Sequence, residues 1–492
     1  MSEIATPGPR RPPRASQGSE PLYRRVAEHV SRMIEDGTLA EGARLPSLRK
    51  LHRQLSVSVT TVMEAYRLLE DRGLIEARPQ SGHYVRPRPP SLQEPNATRT
   101  GEAASSPESG ELIEQVVREA GRPGLVGPFG VALPRAELLP VARLNRFLGR
   151  AVRRDPEASQ EFDDLPGRLD LRREIARRAL EGGCVLSPDD LVITTGASEA
   201  ISLSLRAVTH PGDTVAIETP TYQGFLQVLE GLHLKALEIS TSPKTGISIS
   251  SLEEKIDTGN VAAVLSVPTL GNPLGYVMPE GDRRRLAEML SRYDVPLIED
   301  DTYGDALAPD ERPPSIKSFD EEGRVLLLSS FSKMLAPGYR IGWIAPGRHL
   351  KDVLRMKFSS SLATASPTQM AMAEYLAHGG YDKHLRSLRR EFTDLVSRMA
   401  RAIARSFPPG TRVTRPPAGY VLWVELPERT DSFDLYRAAI AEGISLLPGP
   451  LFSAAQRYRN FVRISCAVPW SPQIEASIER LGELAGQLQA KS

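Results

Sequence analysis

Apolar residues recur at helical spacing in the first part of this chain and gather into short runs over most of the rest. In PLYRRVAEHVSRMIEDGTLAEGARLP, Leu22, Val26, Val30, Met33 and Ile34 share one face, which predicts an amphipathic helix ending near Gly37. SLRKLHRQL opens on Ser47, whose hydroxyl suits a helix N-cap because it can accept from a free backbone amide. A short turn, SVS, then leads into TTVMEAYRLLEDRGL, and two helices joined so closely predict a helix-turn-helix. LIEARPQSGHYVRP follows as two extended pieces around Gln80, Ser81 and Gly82, a wing-like hairpin.

From about residue 123 the period changes. Runs such as LVITT (191–195), TVAIET (214–219), VAAVLSVPT (261–269), VPLIEDD (295–301) and RVLLLSS (324–330) alternate with amphipathic stretches. Strands separated by helices predict βαβ units and a mainly parallel sheet. No internal repeat of fixed period stands out. Between the two regimes, residues 87–122 are rich in Pro, Ser, Gly and Glu and poor in large apolar side chains, a linker composition. The expected organisation is an arm over 1–20, a helix-turn-helix domain over 21–86, a linker over 87–122 and a large α/β domain over 123–488. With 492 residues the chain exceeds the roughly 250–300 that one core can hold.

Composition adds little: 40% hydrophobic and 25% charged residues fit a soluble globular protein. Charge is uneven, however. Residues 1–90 carry 15 Lys and Arg against 10 Asp and Glu, and the remainder 47 against 51. A basic N-terminal part points to nucleic acid. The two cysteines, Cys184 and Cys466, have no CxxC spacing and suit a reducing, cytoplasmic setting as core residues. The eight histidines show no paired-ligand spacing, so no metal site is expected. No apolar run reaches the ~18–20 residues of a membrane span. The first 20 residues lack an apolar stretch and read as a disordered, Arg-rich arm, not as a secretory signal.

The order ARLPSLRKL, VSVTTV, LEDRGLI and ARPQSGHYV resembles the GntR family of winged-helix regulators. That resemblance implies that Arg44, Ser47, Arg49, Ser58, Thr60, Thr61 and the wing around Gly82 face double-stranded operator DNA. Val59 stands where such proteins usually carry Arg, and His83 where they often carry Thr. Loss of a cation there weakens phosphate anchoring.

In the larger domain, SSFSKMLAPGYRIGW (329–343) sets a lysine among small residues after an apolar strand and before Pro-Gly. LIEDDTYGD (297–305) ends a strand in acids, at the edge where open α/β sheets place ligands. TTGASEAI (194–201) opens a helix whose backbone amides suit a phosphate. Together these segments resemble fold-type I pyridoxal-phosphate aminotransferases over about residues 123–488. By that resemblance Lys333 bonds the cofactor covalently. Arg340, Ser330, Ser332 and the amides of Ala197 and Ser198 take its phosphate. Asp300 pairs with the pyridine nitrogen, Tyr303 and Asn272 reach the phenolic oxygen, and Tyr222 stacks on the ring. Arg463, in FVRISCA, takes a substrate carboxylate, a planar match that Lys would not reproduce. Gly271 stands where close relatives often have Gln. In FGVALPRAELLP, Arg135 and Leu139 replace the family's Asp and Phe, which leaves the ligand open.

A GntR module joined to such a domain is the arrangement of the MocR subfamily. It implies a homodimeric regulator that senses the cofactor, an amine or amino-acid effector, or both. The alternative is a working aminotransferase that carries an incidental DNA-binding arm. A cofactor pocket without chemistry is disfavoured, since Lys333 is intact.

Overall fold

The computed structural model describes residues 21–78, 81–86, 92–96, 103–259, 261–378 and 380–491. The chain divides into two compact units, with the boundary in sequence between residues 88 and 89. The expected arm over 1–20, the hairpin tip at Gln80 and parts of the expected linker lie outside the described residues.

The first unit contains α1 (Leu22–Glu35), α2 (Leu48–Leu55), α3 (Val59–Asp71) and the hairpin strands β1 (Ile75–Arg78) and β2 (Gly82–Val85). α1 buries Val26, Val30 and Ile34 as its periodicity predicts. Leu22, expected on the same face, is 47% exposed, because the packed face begins one turn later at Val26. Ser47 caps α2, accepting from the Lys50 amide at 3.3 Å. Ser56 ends it in the left-handed region at φ 52°. Ser58 caps α3 through the Thr61 amide at 3.0 Å. Val62, Ala65, Tyr66 and Leu69 of α3 meet Leu45, Leu51, Ile75 and Val85 in one small core. The strands pair antiparallel from Ile75 with Val85 to Arg78 with Gly82, which forms the wing.

The second unit contains more than the sequence pattern suggests. The expectation of a linker over 87–122 is corrected here. Within it, α4 (Gly110–Ala120) buries Ile113, Val116 and Ala120 in the main core. Ahead of that helix, Ser105 exchanges backbone hydrogen bonds with Ala236, and the carbonyl of Gln93 accepts from the Val413 amide at 2.9 Å. Polar composition masked three apolar positions at helical spacing, enough to hold α4 against a large neighbour.

The large sheet has eight strands. In chain order they are β3 (Val192–Thr194), β4 (Thr214–Thr219), β5 (Lys235–Ser242), β6 (Gly246–Ile247), β7 (Ala263–Ser266), β8 (Leu297–Asp300), β9 (Val325–Ser330) and β10 (Gly342–Ala345). Their spatial order is β3-β10-β9-β8-β7-β4-β5-β6. The five neighbours from β9 to β5 run parallel, and β10 and β6 run antiparallel to the strands beside them. The expected parallel sheet is therefore present, with nearly continuous apolar strands as burial on both faces requires. A smaller antiparallel sheet contains β11 (Arg412–Val413), β12 (Val421–Glu425), β13 (Leu447–Pro448) and β14 (Phe461–Ser465), in the order β11-β12-β14-β13.

Candidate functional site: a cofactor cleft and a winged helix

The topology brings the candidate residues of the second unit to one edge. Parallel strands β4, β7, β8 and β9 point the same way, so Tyr222, Asn272, Asp300 and Lys333 all fall at or just beyond their carboxyl ends. Helix α5 (Gly196–Val208) starts directly after β3 and aims its N-terminus there too. Arg463 reaches the cleft from β14 of the smaller sheet.

Lys333 follows β9 and is half-buried. Its Nζ donates to the carbonyl of Ala132 at 3.0 Å and lies 5.8 Å from the centre of the Tyr303 ring. Desolvation and the Arg463 cation lower its pKa to about 8, while Asp300 opposes the shift. Asp300 is buried at the end of β8, and its Oδ1 accepts from the amide and hydroxyl of Thr302 at 2.8 and 2.5 Å. Burial raises its pKa to about 6, so the carboxylate persists at neutral pH.

Three buried polar groups of this cleft lack partners among the described residues: Oδ1 of Asn272, the hydroxyl of Tyr303 and Nε of Arg463. Buried polar atoms are nearly always satisfied, so unpartnered ones clustered at a strand edge mark where a polar ligand fits. Arg463 is 1% exposed, and its Nη2 donates to the carbonyl of Gly130. Tyr222 is half-buried, edge-on to Phe225 at 5.4 Å. A Cβ at Gly224 would lie 2.4 Å from the Tyr222 ring, so glycine there lets the ring lie across its own turn. Gly271 has a similar reason: a Cβ would meet the Tyr276 ring at 2.6 Å.

The residues expected to take a phosphate also lie together, as a cup at the start of α5. Arg340 adopts φ 54°, its Nη1 donates to Ser332 Oγ at 3.3 Å, and its Nη2 donates to the Thr195 carbonyl at 3.2 Å. Ser330 Oγ donates to Ser332 Oγ at 2.9 Å, behind it. A Cβ at Gly196 would stand 2.5 Å from the Arg340 guanidinium, so glycine admits the cation to the first turn of α5. The amides of Ala197 and Ser198 belong to that turn, where orphan N–H groups and the helix dipole attract an anion. Sequence reasoning missed the layer beneath. Helix α6 (Leu350–Ser360) buries Lys357 completely, with Glu199 Oε1 at 3.5 Å and Thr364 Oγ1 at 3.1 Å. Glu199 Oε2 in turn accepts from the Thr195 amide at 2.5 Å. The signal available was a Glu one turn into α5. The lysine lies 158 residues further along, and no local pattern marks it.

The first unit presents its own surface. Arg44, Ser47, Arg49, Ser58, Thr60 and Gly82 are exposed and Thr61 is half-buried. The Arg44 guanidinium lies against Gly82, 3.4 Å from where a Cβ would sit. The hydroxyls of Ser58 and Thr61 lie 2.7 Å apart and partner each other. His83 packs edge-on to Tyr66 at 4.9 Å and lies 3.6 Å from Glu70, so it supports the wing's base.

Comparison with known proteins matches both parts. Residues 22–85 fit the bacterial regulatory proteins of the gntR family, and residues 139–481 fit aminotransferase class I and II. The HTH-type transcriptional regulators YdcR and YjiR of Escherichia coli are 39% and 36% identical, each match covering 94% of this chain and 98% of the relative. The chain belongs to the MocR subfamily of GntR regulators. The large domain of this MocR protein also superposes on LysN, an α-aminoadipate aminotransferase of Thermus thermophilus solved with N-(5′-phosphopyridoxyl)-L-leucine. The TM-score is 0.70 at 27% identity, over 77% of this chain and 95% of that one.

Pyridoxal 5′-phosphate is the cofactor of this fold, and the donor set fits it. When bound, it supplies an electrophilic carbonyl carbon and an electron-withdrawing ring. Lys333, with its lowered pKa, provides the neutral amine that can attack such a carbon. Asp300 would hold a proton on the ring nitrogen. Tyr303 and Asn272 would donate to the phenolic oxygen, and Arg340 with the start of α5 would hold the phosphate. Among the described residues no cluster of His, Cys, Asp and Glu could hold a metal ion, and no helix is long and apolar enough to cross a membrane.

Proposed function

We propose that this protein is a pyridoxal-phosphate-dependent DNA-binding transcription regulator whose aminotransferase-like domain senses the cofactor and an amine or amino-acid effector. One observation carries the reading. A full winged helix and a cleft with unpartnered cofactor-binding groups occur in one chain, and regulators match that chain over nearly its whole length. Arg44, Arg49, Thr60 and the wing at Gly82 face operator DNA in this reading, with Ser47, Ser58 and Thr61 ordering the helix starts. Lys333 would hold the cofactor through its amine where an effector amine could compete with it, and Arg463 would bind the carboxylate of effectors that carry one. The protein works as a cytoplasmic homodimer, since a two-fold dimer matches paired half-sites.

Switching needs effector-dependent affinity for two states and no net turnover. The test is a DNA titration at fixed salt with cofactor-free, cofactor-loaded and effector-bound full-length protein. Operator affinity should differ among the forms by roughly 5- to 150-fold, the usual span of allosteric coupling. A second reading, a working aminotransferase, draws on the retained Lys333, Asp300 and Arg463. Equal DNA affinity in all forms, with amino-acid conversion at about 1–10³ per second, would establish it instead.

A further inference from the structure

The outer face of α3 carries two large apolar side chains in the open. Val59 is 41% exposed and Met63 is 48% exposed. Spaced by one helical turn, they flank the buried stripe of Val62, Ala65, Tyr66 and Leu69, on the side that carries the exposed Arg67 and, further round, Thr60. The first-turn hydroxyls do not dominate this surface. Ser58 caps the helix and Thr61 partners Ser58, which leaves Thr60 as the exposed hydroxyl of this turn outside that pair. Exposed cations accompany it in the same unit: Arg44, Arg49, Lys50, Arg53 and Arg67.

A surface that joins apolar points to many cations fits a partner that joins methyl groups to many anions. Duplex DNA is such a partner, and its major groove offers one apolar group among the base edges, the C5 methyl of thymine. Against guanine, cytosine or adenine edges, Val59 and Met63 would displace water from donors and acceptors and return no hydrogen bond. Against thymine they bury methyl surface instead. Valine in a helix holds essentially one rotamer and so presents a fixed shape, whereas methionine adapts to the neighbouring step.

We propose that Val59 and Met63 form a thymine-reading surface, so that each operator half-site places two thymine methyls against α3. This rests on the DNA-binding reading of the winged helix. Four residues of helix rise about 6 Å, against about 3.4 Å per base step. The two methyls therefore lie one or two steps apart. Burial of one methyl-sized group is worth about fourfold in affinity, from about 0.8 kcal/mol.

The test uses cofactor-loaded full-length protein and selection from random duplex DNA. The selected sequence is then remade with uracil for thymine, which removes the methyl and keeps the base pair. Thymines one or two steps apart should appear in each half-site. Uracil at both should weaken binding roughly 15-fold, and at either one about fourfold, as the methyl value implies. The V59A/M63A protein should bind thymine and uracil duplexes alike. Equal binding of both duplexes by the native protein overturns the proposal and needs no variant. So does a V59A/M63A protein that keeps the full preference, or one that changes only its sedimentation mass, which would assign the face to a protein contact. If the selection yields no enriched sequence, the DNA-binding reading fails, and this proposal with it.

Discussion

Nζ of Lys333 donates to the carbonyl of Ala132 at 3.0 Å, joining residues 201 positions apart. Arg463 donates to Gly130 in the same short segment, so residues 130–132 lie across both Lys333 and Arg463. This is the stretch in which Arg135 and Leu139 depart from the family. Arg135 is exposed, and its amide donates to the Ala467 carbonyl at 3.1 Å, close in sequence to Arg463. Lys333 is the group expected to carry the cofactor covalently. Borohydride reduction of the loaded protein should fix the cofactor on the peptide that contains Lys333. The Lys333→Ala protein should yield no such peptide by mass spectrometry, and a surviving adduct would assign the bond to another amine.

The rate of cofactor capture should depend on pH in a defined direction. Lys333 attacks only as the neutral amine, and burial and Arg463 lower its pKa to about 8. Capture should therefore rise with pH through a midpoint near 8, well below the ~10.4 of a solvated lysine. Arg463 is a positive neighbour that favours the neutral amine, so Arg463→Met should move the midpoint upward. Asp300→Asn removes a charge that favours the ammonium and should move it downward. Stopped-flow absorbance across pH 6–10 reads all three.

The buried pair of Lys357 and Glu199 should hold the phosphate cup in shape. Their chain of contacts runs through the Thr195 amide and carbonyl to Arg340. Lys357→Met leaves a largely buried carboxylate without its cation, a change worth about 3–5 kcal/mol in buried pairs. The expected outcome is a lower melting temperature and roughly tenfold weaker cofactor binding, about 1.4 kcal/mol. Lys357→Met with Glu199→Gln should recover much of both, by calorimetry and absorbance titration.

Phosphate contact by the first unit should appear in its salt dependence. Arg49 is exposed on α2, next to the helix start capped by Ser47. Arg49→Ala should weaken DNA binding at all sequences and flatten the log–log salt slope by roughly 0.9. An unchanged slope in fluorescence anisotropy would remove Arg49 from the interface.

Much of this protein was legible in local pattern. Helical spacing marked α1 to α3, and apolar runs marked the strands of the large sheet. Ser47 marked the cap of α2, since capping is a contact between residues three apart. Lys333, Asp300, Asn272, Tyr222 and Arg340 stood out because each ends a strand or opens a turn in a family order. The linker was misread because composition was weighed over period: Ile113, Val116 and Ala120 are few, but they share one face.

The sequence by itself determined most of the elements and the two-part organisation, because these depend on neighbours within a few residues, and it singled out Lys333 as the lysine expected to hold the cofactor. Tertiary structure decided the rest. The contact of Lys333 with Ala132, the burial of Lys357 beside Glu199 and the placement of α4 in the core each join segments that no local period relates. Those contacts also set the chemistry, because desolvation and neighbouring charge arise only when distant groups are packed together.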